Sequence, residues 1–471
     1  MSLSRKQLIK AMAAGTTAAV GLSPGIANAS VGRGRLIECD VCVIGGGASG
    51  TYTAMRLREL GRDVLVVERT DRLGGHTETY RDPATGRTAE VGLLIWRDLP
   101  IVRDFFDKLD VPVEISAGRQ EPPKFADFRT GRLIDYQYPP TTVMSAYLRI
   151  RRKYPFLEAG FDLPDPVPSE LLMPFREFAA EHNLGSLVPF VFRALDGFGN
   201  LLDLPTLYIM KGLDIDGTSR IIKGHSFLTT KARNNGGLYE KATARLGDDV
   251  LFGAELTGVA REDGGVTLRA ATPQGVHTIR AKRVVFTAPP VPGNLAPFDL
   301  DDTERALFGR FRSTFFYTGL LRLPGVPDNL TVQNATAEPP FHTPAMPVTY
   351  FIEPSGVTGL HKVKYGSTVA LTHAQVRARV LADIRRLVAA GTLPRTTMEL
   401  ETLKSHSPYA LTVSRDDIAD GFYRRLYSLQ GRNRTFYNGA AFQTHDSSLL
   451  WQFTERLLPR LDQVGRPLRP R

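Results

Sequence analysis

In this 471-residue chain, the residues whose types and spacing point most directly to chemistry are Gly45, Gly47 and Gly50. They form a G-x-G-x-x-G run at the end of the apolar stretch Val41-Cys42-Val43-Ile44. Each glycine has a mechanical role. Gly45 permits a tight turn, Gly47 lets the backbone approach a pyrophosphate, and Gly50 lets the next helix pack closely on its strand. Ala48 and Ser49 then fall at a helix N-terminus, where backbone N–H groups meet phosphate charge. The sequence that follows is helical in pattern, with Ala54, Leu57 and Leu60 on one face and Gly61 as the stop. A second apolar strand over 63–67 ends at Glu68, placed to accept hydrogen bonds from a ribose. Strand, glycine turn, helix, strand and acid in this register predict a dinucleotide site.

Directly after Glu68, the run Arg69-Thr70-Asp71-Arg72-Leu73-Gly74-Gly75-His76 contains an R-x-G-G turn. It resembles the second glycine motif of FAD enzymes of the amine-oxidase-like class, where the turn lines the pyrophosphate and ribityl chain. The resemblance implies that Arg69, Arg72, Gly74, Gly75 and His76 line FAD, with Gly92 passing close to the isoalloxazine. No second G-x-G-x-x-G occurs, so no separate nicotinamide domain is expected. Weaker matches agree. The stretch 250–259 looks like the hairpin over the adenine, with Leu256 at the contact, and 283–290 like the strand returning to the cofactor, with Ala288 at its end. Near the C-terminus, Asn438 and Gly439 close a short strand, and Asp446, Ser447 and Ser448 are N-cap types before a helix. In this class that helix aims its free N–H groups at the flavin pyrimidine. Many members carry a glutamate where this chain has Ala440.

The mature chain is similar to two groups of this class. The segment Gly74–Tyr80, with Asp82-Pro83 and Thr85-Gly86, resembles the β-cyclopiazonate dehydrogenase-like flavoproteins; 171–178, Phe198-Gly199 and 430–437 resemble polyunsaturated fatty acid isomerase. The resemblance implies an α/β fold: a Rossmann-type FAD-binding domain over 36–100, 220–295 and 425–471, a helical cap over 101–219, and a mixed-sheet substrate domain over 296–424. It implies an FAD-dependent oxidoreductase that takes hydride from a C–H bond of an apolar small molecule, with an anionic group on that molecule as an option. A redox-neutral fatty acid double-bond isomerase and a non-catalytic FAD-binding protein are the alternatives. The lysine that many amine oxidases carry on the substrate sheet has no counterpart in Phe315-Phe316-Tyr317-Thr318-Gly319-Leu320. Catalytic residues are therefore open; Lys124, beside a segment like the isomerase entrance, and His406 and Tyr409 are the candidates.

Composition narrows the rest. With 42% hydrophobic and 23% charged residues the chain is globular, not disordered, collagen-like or coiled-coil. A formal charge of +10 without basic clusters gives no nucleic-acid footprint. The cysteines, Cys39 and Cys42, lie three apart on one predicted strand and so point to opposite faces. No histidine spacing suggests a metal site. At the N-terminus Arg5, Lys6 and Lys10, a weakly apolar stretch and Ala27-Asn28-Ala29 form a twin-arginine-like export signal over 1–29, with Lys6 in place of the second arginine. It is too short to span a bilayer stably.

Overall fold

The computed structural model describes residues 34–116, 121–224 and 227–463. The expected export signal lies outside them. The strand Leu36–Ile44 runs parallel between Val64–Val67 and the twelve-residue strand Gly275–Phe286. Its last four residues are fully buried, as are all four of Val64–Val67, the composition expected of parallel strands covered on both faces. Val250–Leu251 extends the sheet beyond Val64–Val67. The long strand has two sets of neighbours on its other side. Its first half pairs antiparallel with Gly265–Thr272, which carries Glu255–Glu262, and its last three residues pair parallel with Thr435–Tyr437. Cys42 is buried in this sheet and Cys39 half-buried, both as free thiols; burial pushes the Cys39 thiol up to about 12, so it stays protonated.

Two helices cover one face. Ala48–Glu59 buries Ala54 and Leu57 while Leu60, just beyond it, is exposed. The last helix, Ser447–Leu461, packs beside it. Trp451 stacks on Tyr52 at 5.3 Å between ring centroids and its Nε1–H donates to the Ala48 carbonyl at 3.1 Å, so the two ends of the described chain lock together.

A second sheet of seven strands runs in the order Glu399–Ser405, Phe315–Arg322, Leu360–Ser367, Val348–Pro354, Val332–Asn334, Lys124–Asp127, Arg132–Leu133. The helix His373–Ala389 lays Val376, Val380, Ile384 and Leu387 on one face of it. It is opened by a Thr372/Gln375 capping box. Short strands interrupt the stretch 101–219, read from the sequence as a mostly helical cap. Helices fill 141–222, but Lys124–Asp127 pairs parallel with Val332–Asn334, and Val113–Ile115 pairs with Phe227–Thr230. Strands this short carry little periodic signal of their own and form because a partner edge from elsewhere in the chain receives them. Among the described residues no helix is long and apolar enough to cross a membrane.

Candidate active site

The first glycine turn is bare backbone. Gly45 has φ +97°, and a Cβ on Gly50 would lie 1.8 Å from the Gly45 carbonyl oxygen. The helix Ala48–Glu59 opens with no side-chain cap and no acid in its first turn. Ser49 Oγ is buried there without a hydrogen-bond partner among the described residues. The second turn faces the first: a Cβ on Gly75 would lie 3.0 Å from Gly47 Cα. Gly92 passes behind it, where a Cβ would fall 1.7 Å from the His76 carbonyl oxygen. Two opposed side-chain-free turns, an uncapped helix start and an unpartnered hydroxyl are a donor set for a phosphate anion, so these residues fit the pyrophosphate of a dinucleotide.

The charged residues around the turns do more internal work than the sequence suggests. One Glu68 oxygen accepts the Gly46 N–H at 2.7 Å, and the other accepts the Thr70 N–H and hydroxyl, both at 2.8 Å. A carboxylate accepts about four hydrogen bonds, so room for a ribose hydroxyl remains. The Arg72 guanidinium donates to the carbonyls of Leu73, Gly75 and Thr77 and pairs with Glu78, which holds the second turn in shape. Arg69 is exposed. The Ala254 N–H donates to the Glu68 carbonyl at 3.0 Å, bringing the strand that carries Leu256 against this acid, and Ala288 packs beside Gly45. The Asn438 amide donates to Thr454 Oγ1 at 2.8 Å, and Gly439 takes φ +114°.

The C-terminal helix narrows an expectation. Asp446 is its N-cap, but its Oδ1 accepts from the N–H groups of Ser448 and Leu449 at 2.9 and 3.2 Å. Two of the donors expected to be free for a flavin pyrimidine are thus taken by the chain itself. Arg97, which sequence reading missed, sits beneath this cap with its side chain 6% exposed. Its Nε donates to Asp446 Oδ2 at 2.7 Å, Nη1 to Asp214 Oδ1 at 2.8 Å and its backbone N–H to Ser448 Oγ at 3.1 Å. Asp214 in turn caps the helix Ile215–Ile222. The only local sign was an arginine directly after an apolar run.

Beyond the second turn, rings from five distant segments meet. His76 stacks on His406 with centroids 4.5 Å apart and lies 5.9 Å from Tyr409, which stacks on His445 at 4.0 Å. Phe316 lies 4.7 Å from Tyr409, and Phe198 lies 5.7 Å from His445. The His406 N–H donates to the Phe316 carbonyl and that of Tyr409 to the Thr314 carbonyl, fastening the loop to the substrate sheet. Burial above all holds His445 down to about 3 and His406 well below the usual histidine range; the neighbouring His76, itself held down to about 4 by burial, and the Lys364, Arg72 and Lys404 charges push His406 the same way. Both imidazoles are neutral at neutral pH, and His406 Nε2 has no hydrogen-bond partner among the described residues. His406 and Tyr409 are therefore together at the second glycine turn. Lys124 is not: it is exposed, on a strand separated from Phe315–Arg322 by three others.

Next to this cluster a small pocket is lined by Phe161, Phe198, Tyr208, Lys211, Gln443 and His445, among others. The buried Lys211 Nζ donates to the carbonyls of Leu157 and Gly160 at 2.7 and 3.2 Å and to the Gln443 side chain. Desolvation lowers it to about 7. Lys211 thereby fixes the segment between Ala440 and His445. Among the described residues no group of three or more His, Cys, Asp or Glu residues is arranged to hold a metal.

The family profile described as flavin containing amine oxidoreductase matches residues 48–314. The FAD-dependent oxidoreductase oblC of Cochliobolus heterostrophus is 35% identical over 443 residues, covering 90% of this chain and 92% of that one. The β-cyclopiazonate dehydrogenase of Aspergillus oryzae is 30% identical over 434 residues, with 90% and 93% covered. Among solved structures, the conjugated-linoleic-acid-producing fatty acid isomerase of P. acnes shares the fold with a TM-score of 0.73 at 20% identity, over 90% of this chain and 98% of that one. Putrescine oxidase bound to putrescine shares it with a TM-score of 0.65 at 16% identity, over 92% and 100%. With paired glycine turns suited to a dinucleotide and relatives of this kind along nine-tenths of its length, the chain belongs to the flavin-containing amine oxidoreductase family, and it is an FAD-dependent oxidoreductase.

Proposed function

We propose that the enzyme takes hydride from a C–H bond of an apolar small molecule. The observation that carries this reading is the wall of aromatic rings and neutral imidazoles, His76, His406, Tyr409, His445, Phe316 and Phe198, which continues from the second glycine turn. FAD, when bound, supplies the two-electron acceptor. The chain does the rest. The backbone of Gly45, Gly47, Ala48, Ser49 and Gly50 holds the pyrophosphate with Gly74 and Gly75, and Glu68 holds a ribose hydroxyl. The ring wall excludes water and orients an apolar substrate. His406 Nε2, neutral and unpaired, offers a hydrogen bond to a polar substrate atom next to the reacting carbon. The strand Phe315–Arg322 carries no lysine, so it offers no counterpart to the lysine that many amine oxidases carry there.

A redox-neutral isomerase remains the second reading, supported by the resemblances at 171–178 and 430–437. One experiment separates the two: mixing the FAD-loaded protein anaerobically with linoleate while following the flavin and conjugated-diene absorbance. Hydride abstraction bleaches the flavin until air is admitted. Isomerisation raises the diene band and leaves the flavin oxidised. A flavin that neither linoleate nor a wider set of apolar C–H donors can reduce, with no diene formed, would sink both.

We further propose export, on the strength of Arg5, Lys6, Lys10 and Ala27-Asn28-Ala29. Sequencing the N-terminus of the cell-made protein is expected to begin at Ser30; a start at or before Lys10 overturns it.

A further inference from the structure

The substrate sheet has a face turned away from the helix His373–Ala389. On the strand Leu360–Ser367, Val363 and Tyr365 pack under that helix, so the alternating Lys362 and Lys364 point the other way. There they meet Glu353 from the neighbouring strand, and Arg193 and Asp196 from the helix Val188–Ala194 and the turn after it. Arg193 pairs with Glu353, Lys362 Nζ lies 3.3 Å from Glu353, and Lys364 Nζ lies 2.9 Å from Asp196. All five side chains are between 8% and 19% exposed. Among the described residues the cluster thus holds three cations against two carboxylates. Glu90, a further carboxyl within the field of Lys362, is pushed up to about 7 by burial, and its oxygens accept the Asn235 N–H and the Thr79 hydroxyl. Arg193 Nη1 is buried and has no hydrogen-bond partner among the described residues.

A buried excess of charge and a buried guanidinium N–H without an acceptor are both costly. A single oxygen anion relieves both. The cluster also adjoins the ring wall: Lys364 Nζ lies 5.6 Å from the Phe316 centroid, and the Gly197 N–H, next to Asp196, donates to Tyr350 at 2.9 Å. We propose that Arg193, Lys362 and Lys364 bind a carboxylate carried by the apolar substrate, and that the same charge excess turns away ammonium compounds. This rests on reading the ring wall as the substrate face.

The test is calorimetric titration of the FAD-loaded enzyme with linoleate, linoleyl alcohol and linoleylamine, each below its aggregation limit. The titration is run anaerobically on enzyme with its flavin already reduced by dithionite, so binding is read with no hydride acceptor available and the outcome stands whether or not linoleate can reduce the flavin. Charge-assisted hydrogen bonds in a desolvated site lead us to expect linoleate to bind at least about tenfold tighter than the alcohol, and the amine most weakly. Arg193→Gln and Lys364→Met should each bring linoleate close to the alcohol while leaving the alcohol unchanged, with FAD content and visible spectrum reporting that the fold is kept. Equal binding of acid and alcohol by the unaltered enzyme, no binding of linoleate, or an acid preference that survives both substitutions overturns the proposal. The comparison of acid with alcohol needs no variant, so a substitution that loses FAD does not remove the test.

Discussion

At Gly50 a methyl group decides whether the cofactor site can form. A Cβ 1.8 Å from the Gly45 oxygen must push the helix off its strand, so Gly50→Ala is expected to purify with well under stoichiometric FAD, read from the ratio of flavin to protein absorbance. The histidines make a pH prediction. His445 and His406 titrate below the ordinary 6.5 in the fold, His445 near 3. As pH falls below 6.5 the unfolded chain takes up protons that the folded one refuses, so stability drops with acid through that window. Each such histidine contributes up to about 1.4 kcal/mol per pH unit. Thermal unfolding between pH 7 and 5 should therefore show a shallower decline for His445→Asn; an unchanged slope would remove His445 from the account. The glycines were legible in the sequence because their reasons are local, a turn and a close approach within a few residues. The meeting of His76, His406 and His445 was not, since nothing in one segment encodes the stacking of rings hundreds of residues apart. Arg97 was hidden for the same reason: its partners Asp214 and Asp446 lie 117 and 349 residues away.

Among the elements, the C-terminal helix depends on Asp446 for both its cap and its link to Arg97. Asp446→Ala removes an N-cap worth about 1 kcal/mol and one of the carboxylates on a buried guanidinium, while Asp446→Asn keeps the cap alone. Urea unfolding should rank wild type above Asn above Ala, with FAD affinity following the same order; Asn equal to Ala would mean the cap contributes nothing. The elements that announced themselves were those whose own pattern suffices: the strand–turn–helix at 41–60 and the terminal helix behind its N-cap residues. The strands Lys124–Asp127 and Val113–Ile115 did not. They are three or four residues long, and their pairing is supplied by edges far along the chain.

For the whole molecule, the assignment of FAD follows from glycine turns and relatives alike. The strand Gly275–Phe286 has a consequence for how the protein must be made. Its buried end, Val284–Phe286, has Leu36–Ile44 on one side and Thr435–Tyr437 on the other. Until residue 437 leaves the ribosome, that edge has no partner, and the turn at Gly439 and the helix carrying Trp451 do not yet exist. A nascent chain therefore carries an open apolar edge from the time residue 286 is made until residue 437 follows, the kind of surface that recruits chaperones or aggregates. A chain stopped after Arg434 is expected to collect in the insoluble fraction without flavin, whereas co-expressing the missing 435–471 piece should recover some yellow soluble protein. Under the export proposed above, the order of events would be completion of the chain, closure of the sheet, capture of FAD, and only then departure from the compartment where FAD is made.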